Sequence, residues 1–372
     1  MSGDAETTSP PPIPRTTIGF IGVLIGIFLA QQGGAQIYVF HGNLDKADLL
    51  AFGALNPDLL FIYGEWWRLA TATLLHAGWG HIALNAFVLF FSGRFIESHL
   101  GGATVTGIWA LGALAGALCS YWVGDMDRVS VGASGGIMAL IAAALLLCYK
   151  LPPEAATLSG KSVFARILIP SLIPTHAGTD YAGHFGGAVI GVLLALVLAD
   201  VAYLARDNLH RRVAGICATV AFAGMGLFGA VELVRAAPAF DTNAPRMIPA
   251  PADAPEDEKF PPEARVRELM AQYPKDPQLR MLLATALYNA GKPVEAGREA
   301  LVAYRQERIY DPLASYAIIG LPELRALIAL GALAEGHRDK AQSLIAPICY
   351  EFRIAIAQHL KLTPDARSLC PP

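Results

Sequence analysis

VGASGGIMA, residues 131–139, is the stretch on which the reading of this chain turns. Ser134 stands there among Gly132, Gly135 and Gly136, at the head of a charge-free run that continues to Cys148. The run predicts an apolar helix over residues 134–148 with one hydroxyl at its start. Two further polar islands answer it. YAGHFGGAVIG, residues 181–191, puts His184 at the head of another apolar run. GHIALNAF, residues 80–87, carries His81 and Asn85. Polar and ionisable groups inside hydrocarbon are costly, so each is a functional hypothesis, and three of them suggest a constellation.

Composition places these islands in a membrane. Of 372 residues, 54% are hydrophobic and only 16% charged, with a mean hydropathy of +0.44. That profile fits an all-α polytopic bundle rather than a soluble enzyme of the same length. A formal net charge of −3, with no basic patch interleaved with aromatics, excludes nucleic acid as a partner. Residues 1–17 are polar and proline-rich and lack a basic start feeding a hydrophobic core, so they read as a disordered tail rather than a signal peptide.

A helical span needs roughly 20 apolar residues. Candidate spans cover residues 18–32, 80–96, 104–123, 134–148, 163–175, 182–199 and 213–234. The fifth is short and broken by Pro170 and Pro174. The long connection before the second span ends in Trp66, Trp67 and Arg68, residue types that suit the headgroup boundary. The cation bias sets the orientation. With the N-terminus in the cytoplasm, inside segments hold Arg15, Arg94, Lys150, Lys161, Arg166, Arg206, Arg211 and Arg212, against Lys46, Arg68 and Arg128 outside. Ser134 and His184 then begin their helices at the same, outer side, and a domain following the seventh span lies outside too.

The domains read as a tail (1–17), a membrane core (18–199), an extra span (200–235), a proline-rich acidic linker (236–262) and a helical domain (263–372). Within the last, residues 282–301 and 326–345 read as two helical hairpins turning at Gly291 and Gly336, with Ala296 and Ala341 five residues on. They resemble tetratricopeptide-type hairpins, though their spacing departs from the usual repeat. Such hairpins suggest a protein or peptide partner. Cys119, Cys148 and Cys217 fall in apolar spans. Cys349 and Cys370 fall in the polar domain, where an oxidising compartment allows them to pair and a reducing one leaves them free.

The residue types carry a chemistry. A serine hydroxyl becomes a nucleophile when a base takes its proton, and neutral histidine is the usual base. Glycines beside Ser134 admit a substrate strand, and free N–H groups at a helix start favour a developing oxyanion. His81 and Asn85, spaced i and i+4, share a face and bring donors for that oxyanion. Bland readings stand beside these. GASGG also suits the close packing of two helices, Asn85 also suits an interhelical hydrogen bond, and His184 also suits a snorkelling side chain. A metal site using His76, His81 and His184 lacks the HExxH signature, so no metal and no cofactor is expected. Asp180, four before His184, either orients the imidazole or caps the helix. Arg94 and Glu97 are candidates for an ion pair.

The pieces together resemble the rhomboid intramembrane serine proteases. The resemblance rests on WWR at 66–68, HAGWGHIALN at 76–85, GRFIE at 93–97, GASGG at 132–136 and GHFGGAVIG at 183–191, in that order, and covers residues 18–199. It implies Ser134 as the nucleophile and His184 as the base. It implies His81 and Asn85 as stabilisers of the oxyanion together with the serine N–H, and no cofactor. It implies transmembrane protein substrates cut in or near their spans and a multi-pass protein of six core spans plus one. The small loops and the lack of a targeting peptide suggest a bacterial inner membrane as the setting. The family usually places an aromatic four residues after the serine, under the histidine ring, and this chain has Met138 there. The alternative is a catalytically silent membrane scaffold that holds transmembrane clients. A transporter would want mid-membrane charges or inverted repeats, and neither is present.

Overall fold

The computed structural model describes residues 13–34, 44, 46–123, 128–150, 158–175, 178–204, 209–236, 261–272, 277–309, 321–356 and 360–370. The first 12 residues of the tail, residues 237–260 of the linker, and Asp125 and Asp127 of the turn before Ser134 lie outside the described residues. The chain divides into two compact units, Met1–Arg235 and Ala236–Pro372. The described secondary structure is helical throughout, apart from an isolated antiparallel bridge between Leu55 and Ser130.

The first unit contains α1 (Arg15–Gly34), three short helices α2 (Lys46–Ala51), α3 (Pro57–Tyr63) and α4 (Arg68–Thr71), and then α5 (Trp79–Leu100), α6 (Gly102–Val123), α7 (Ser134–Lys150), α8 (Leu158–Ser171), α9 (Tyr181–Leu204) and α10 (Leu209–Ala236). Among the described residues, five helices are long and apolar enough to cross a membrane: α1, α5, α6, α9 and α10. Their outward faces carry exposed apolar side chains such as Leu84, Phe87, Val197 and Leu227. In water such a surface would drive aggregation; against lipid it is matched. The chain is an integral, multi-pass membrane protein with an all-α fold.

α7, the helix headed by Ser134, is shorter, at 17 residues. It lies at the centre, packed by α5, α6, α8 and α9. Its residues from Gly135 to Ala144 are all buried. α8 has 14 residues, with Pro170 inside it. Helices at the centre of a bundle need not match the hydrocarbon thickness on their own, because protein rather than lipid surrounds them.

Glycine decides how near α9 and α6 come to α7. A Cβ on Gly187 would collide with the Gly135 carbonyl, and one on Gly191 with the Ala139 backbone. On α6, a Cβ on Gly116 would lie 2.6 Å from the Gly183 carbonyl oxygen. Gly187 and Gly191, one helical turn apart, form the small-residue stripe by which membrane helices approach closely and gain dispersion contacts in place of a hydrophobic drive.

The start of α1 is held by α5. Glu97 accepts from the Thr16 N–H at 3.0 Å, the Thr17 N–H at 2.9 Å and the Thr17 hydroxyl at 2.7 Å. These N–H groups have no partner within their own helix, and a carboxylate suits the positive end of its dipole. The expected use of Glu97 as an Arg94 partner is therefore replaced by a capping role. The WWR segment also differs from an interfacial anchor. Trp66 is half exposed, but Trp67 is buried and Arg68 is fully buried. Arg68 pairs with Glu65 at 2.6 Å and donates to the carbonyls of Leu50 at 2.8 Å and Ala54 at 2.9 Å. A buried guanidinium is tolerable when it is paired with a carboxylate and hydrogen-bonded in this way. Here it ties α2, the Leu55 segment and α4 together.

The second unit is built of α11 (Glu263–Gln272), α12 (Pro277–Asn289), α13 (Pro293–Ile309), α14 (Leu321–Ala334) and α15 (Arg338–Ile345). Gly291 (φ 80°) and Gly336 (φ 87°) turn the chain between paired helices. A Cβ on Gly297 of α13 would lie 2.9 Å from the Gly331 Cα of α14. Cys349 and Cys370 form a disulfide.

Candidate active site

The chain leading into α7 is stitched down before it reaches Ser134. Ser130 pairs with Leu55 through two backbone hydrogen bonds of 2.9 and 3.0 Å. Asn56 Nδ2 donates to the Arg128 carbonyl at 3.1 Å, and the Gly132 N–H to the Ala72 carbonyl at 3.0 Å. Gly132 has φ 128°, a conformation L side chains rarely adopt. A Cβ there would lie 2.7 Å from His81 Cε1, so the position needs glycine for space as well.

The head of α9 is fastened to the same segment. Asp180 accepts from the Gly183 N–H at 2.9 Å, as an N-terminal cap does, and from the Ser130 hydroxyl at 2.5 Å. Arg128 lies 3.9 Å from the Asp180 carboxylate and donates to the Thr179 carbonyl at 2.5 Å. Of the two roles open to Asp180 in the sequence, the structure assigns the cap. Its carboxylate makes no hydrogen bond to the imidazole among the described residues. Arg128, Ser130 and Asn56 carry this fastening, and nothing in their sequence context distinguishes them from turn residues.

With both helix heads fastened, Ser134 Oγ lies 2.9 Å from His184 Nε2. The opposite ring nitrogen, Nδ1, lies 2.8 Å from the Ser171 carbonyl oxygen at the end of α8. A carbonyl only accepts, so Nδ1 carries the proton and Nε2 presents a lone pair to the serine hydroxyl. That is the arrangement a general base requires. The Tyr181 ring stands edge-on to the imidazole at 6.2 Å between centroids. Met138, where the resemblance would place an aromatic, is buried in the core around α7.

His81 and Asn85 face the Gly132 backbone from α5; a Cβ on Gly132 would lie 3.7 Å from Asn85 Nδ2. That amide nitrogen is buried without a hydrogen-bond partner among the described residues, a donor left unspent beside Gly132. His76 stands behind His81 with ring centroids 5.1 Å apart. Among the described residues no three His, Cys, Asp or Glu side chains are placed to hold a metal. A cleft lined by Val131, Gly132, Ser134, Gly183 and His184 opens over the pair.

The fold and this arrangement define a polytopic helical membrane protein whose polar site sits at the joined heads of two central helices. The Rhomboid domain family matches residues 63–201, which include Ser134, His184, His81 and Asn85. The chain is 30% identical over 213 residues to rhomboid protease AarA of Providencia stuartii, covering 50% of this chain and 73% of that protein. It is 29% identical over 195 residues to rhomboid protease GluP of Bacillus subtilis (strain 168), and 28% over 212 residues to human rhomboid-related protein 3. The chain spans 35% of the length of GluP and 50% of that of the human relative. The chain belongs to the rhomboid family.

Proposed function

We propose that this chain is an intramembrane serine endopeptidase that cuts transmembrane proteins in or near their membrane-spanning helices. Family membership supports intramembrane proteolysis in general. The observation that carries the serine mechanism is the 2.9 Å approach of His184 Nε2 to Ser134 Oγ with Nδ1 engaged on a carbonyl.

In this reading His184 Nε2 takes the Ser134 proton as Oγ attacks the scissile carbonyl carbon. The resulting oxyanion is met by the Ser134 N–H, His81 and the unspent Asn85 amide. The imidazolium then gives its proton to the leaving nitrogen, and the C–N bond breaks to leave an acyl ester on Ser134. Water, deprotonated by the same imidazole, hydrolyses that ester. The cleft at the helix heads is where water can reach a site that lipid would otherwise keep dry. A substrate helix must unwind locally, because an intact helix spends its carbonyls on internal hydrogen bonds.

A fluorophosphonate probe tests the reading. The expected result is one covalent adduct, located on Ser134 by peptide mass spectrometry. A protein that cleaves no substrate and takes no adduct would instead be a silent scaffold.

The setting we propose is a bacterial inner membrane, with the N-terminus in the cytoplasm and the C-terminal unit on the outer side. The cation bias of the loops supports this orientation. So does the Cys349–Cys370 disulfide, since such bonds persist in oxidising compartments. Treating intact cells with a membrane-impermeant reductant and then an impermeant maleimide is expected to label Cys349 and Cys370. Labelling that requires permeabilised cells would reverse the orientation.

A further inference from the structure

We propose that the backbone carbonyl of Ser171, released from its helix by Pro174, acts as the third member of the site and fixes the tautomer and plane of the His184 imidazole. The inference rests on Ser134 and His184 serving as nucleophile and base.

Pro174 explains why this carbonyl is available. In an α-helix the carbonyl of residue 171 accepts from the N–H of residue 175, and in a 3₁₀ turn from that of residue 174. Pro174 has no N–H. It also biases Ile173 away from helical angles. The Thr175 N–H is turned elsewhere, to the Ile173 carbonyl at 2.8 Å and the Tyr181 hydroxyl at 3.0 Å. The two carbonyls before it are served normally: Ile169 accepts from the Leu172 N–H at 3.2 Å and Pro170 from the Ile173 N–H at 3.3 Å. Ser171 is thus where the hydrogen-bond ladder of α8 runs out, and its carbonyl is the one that meets His184 Nδ1 at 2.8 Å. An unserved carbonyl at membrane depth is costly, so the bond satisfies α8 as well as the imidazole.

The consequence for the site follows from donor and acceptor counting. If the ring turned over about its Cβ–Cγ bond, it would lose both the Ser171 bond and the approach to Ser134. If the proton moved to Nε2, two acceptors would face each other at Nδ1 and the serine would lose its base. When the imidazole takes the serine proton, Nδ1–H stays on the same carbonyl and the bond strengthens as the ring becomes cationic. In a serine triad a carboxylate fills this place. The carboxylate nearest in sequence, Asp180, is spent on the Gly183 N–H and the Ser130 hydroxyl. Because the acceptor belongs to α8 and the base to α9, the correct tautomer depends on the proline-broken end of α8 staying against α9.

The test uses the full-length protein in lipid, with ¹⁵N-labelled histidine and ¹³C-carbonyl-labelled serine. Solid-state NMR is expected to show His184 protonated at Nδ1 and bare at Nε2, with a direct dipolar contact between Nδ1 and the Ser171 carbonyl carbon. Pro174→Ala removes the bar to helical angles at Ile173 and lets α8 continue, so the Thr175 N–H can reach the Ser171 carbonyl and return it to its helix. The contact should then vanish, the two tautomers should mix, and kcat should fall about tenfold, the factor carried by one lost hydrogen bond to a charged group, with KM unchanged. Pro170→Ala is the matched control. The N–H it restores serves the carbonyl of residue 166, so tautomer and kcat should stay at the wild-type values. A wild-type spectrum with the proton on Nε2 or without the contact overturns the proposal, and needs no variant to fold. So does Pro174→Ala with unchanged tautomer and kcat, or an equal loss in Pro170→Ala. Failure of the protease reading itself is seen separately, as cleavage that survives Ser134→Ala.

Discussion

His184→Ala is expected to lower kcat/KM for a transmembrane substrate by about three orders of magnitude or more, while the helix bundle stays folded. The side chain makes one hydrogen bond to Ser134 and one to Ser171. Losing it leaves the Ser134 hydroxyl with its proton and, among the described residues, without the acceptor it bonds in the intact site. The substitution also strands the Ser171 carbonyl, which water entering the cleft can serve. Cleavage in proteoliposomes measures the effect, and the rate of Ser134 modification by a fluorophosphonate should fall in parallel, because that reaction needs the same activated oxygen. Retention of cleavage within tenfold of wild type would remove His184 from the role of base. Thermal unfolding of the variant serves as the control for folding.

The second large effect is expected at a residue that makes no chemical contribution. Gly187→Val should lower kcat by about a hundredfold, because displacing reacting groups by about 1 Å costs that much. Gly187 packs on the Gly135 backbone, and a Cβ would collide with that carbonyl. Backbone cannot move aside as a flexible side chain can, so α9 must shift away from α7 and carry His184 away from Ser134. The variant should also lose thermal stability, as overpacked cores do. Val189→Leu on the same helix, where the side chain is exposed on the outer face, should leave both quantities unchanged. Equal effects at the two positions would mean that the α7–α9 approach does not set the reaction geometry.

Much of the site is legible before folding because hydrocarbon makes polar residues conspicuous. Ser134, His184, His81 and Asn85 stand out as interruptions in apolar runs, and the structure puts His81 and Asn85 beside Gly132 and His184 beside Ser134. The glycines are legible for a related reason: Gly183, Gly187 and Gly191 recur at one-turn spacing within an apolar helix. Other residues gave no such signal. Arg68 stands beside two tryptophans, which suits a headgroup anchor, yet it is fully buried because carbonyls from residues 50 and 54 come to meet it. Glu97 stands three residues from Arg94, but the unserved N–H groups at the start of α1 are its partners.

The sequence by itself determined the class of the fold and the run of apolar helices, and it singled out the polar groups proposed here to do the chemistry. These follow from periodicity and from the cost of polarity in lipid, both of which act residue by residue along the chain. The tertiary structure alone decided which donor meets which acceptor. It turned Asp180 into a cap rather than an orienting carboxylate, joined Cys349 to Cys370, and put the Ser171 carbonyl against His184. Each of those outcomes pairs groups from segments distant in sequence, or uses a backbone carbonyl that every residue possesses. A carbonyl's availability depends on whether its own helix still needs it, and that is settled only when the helices are in place.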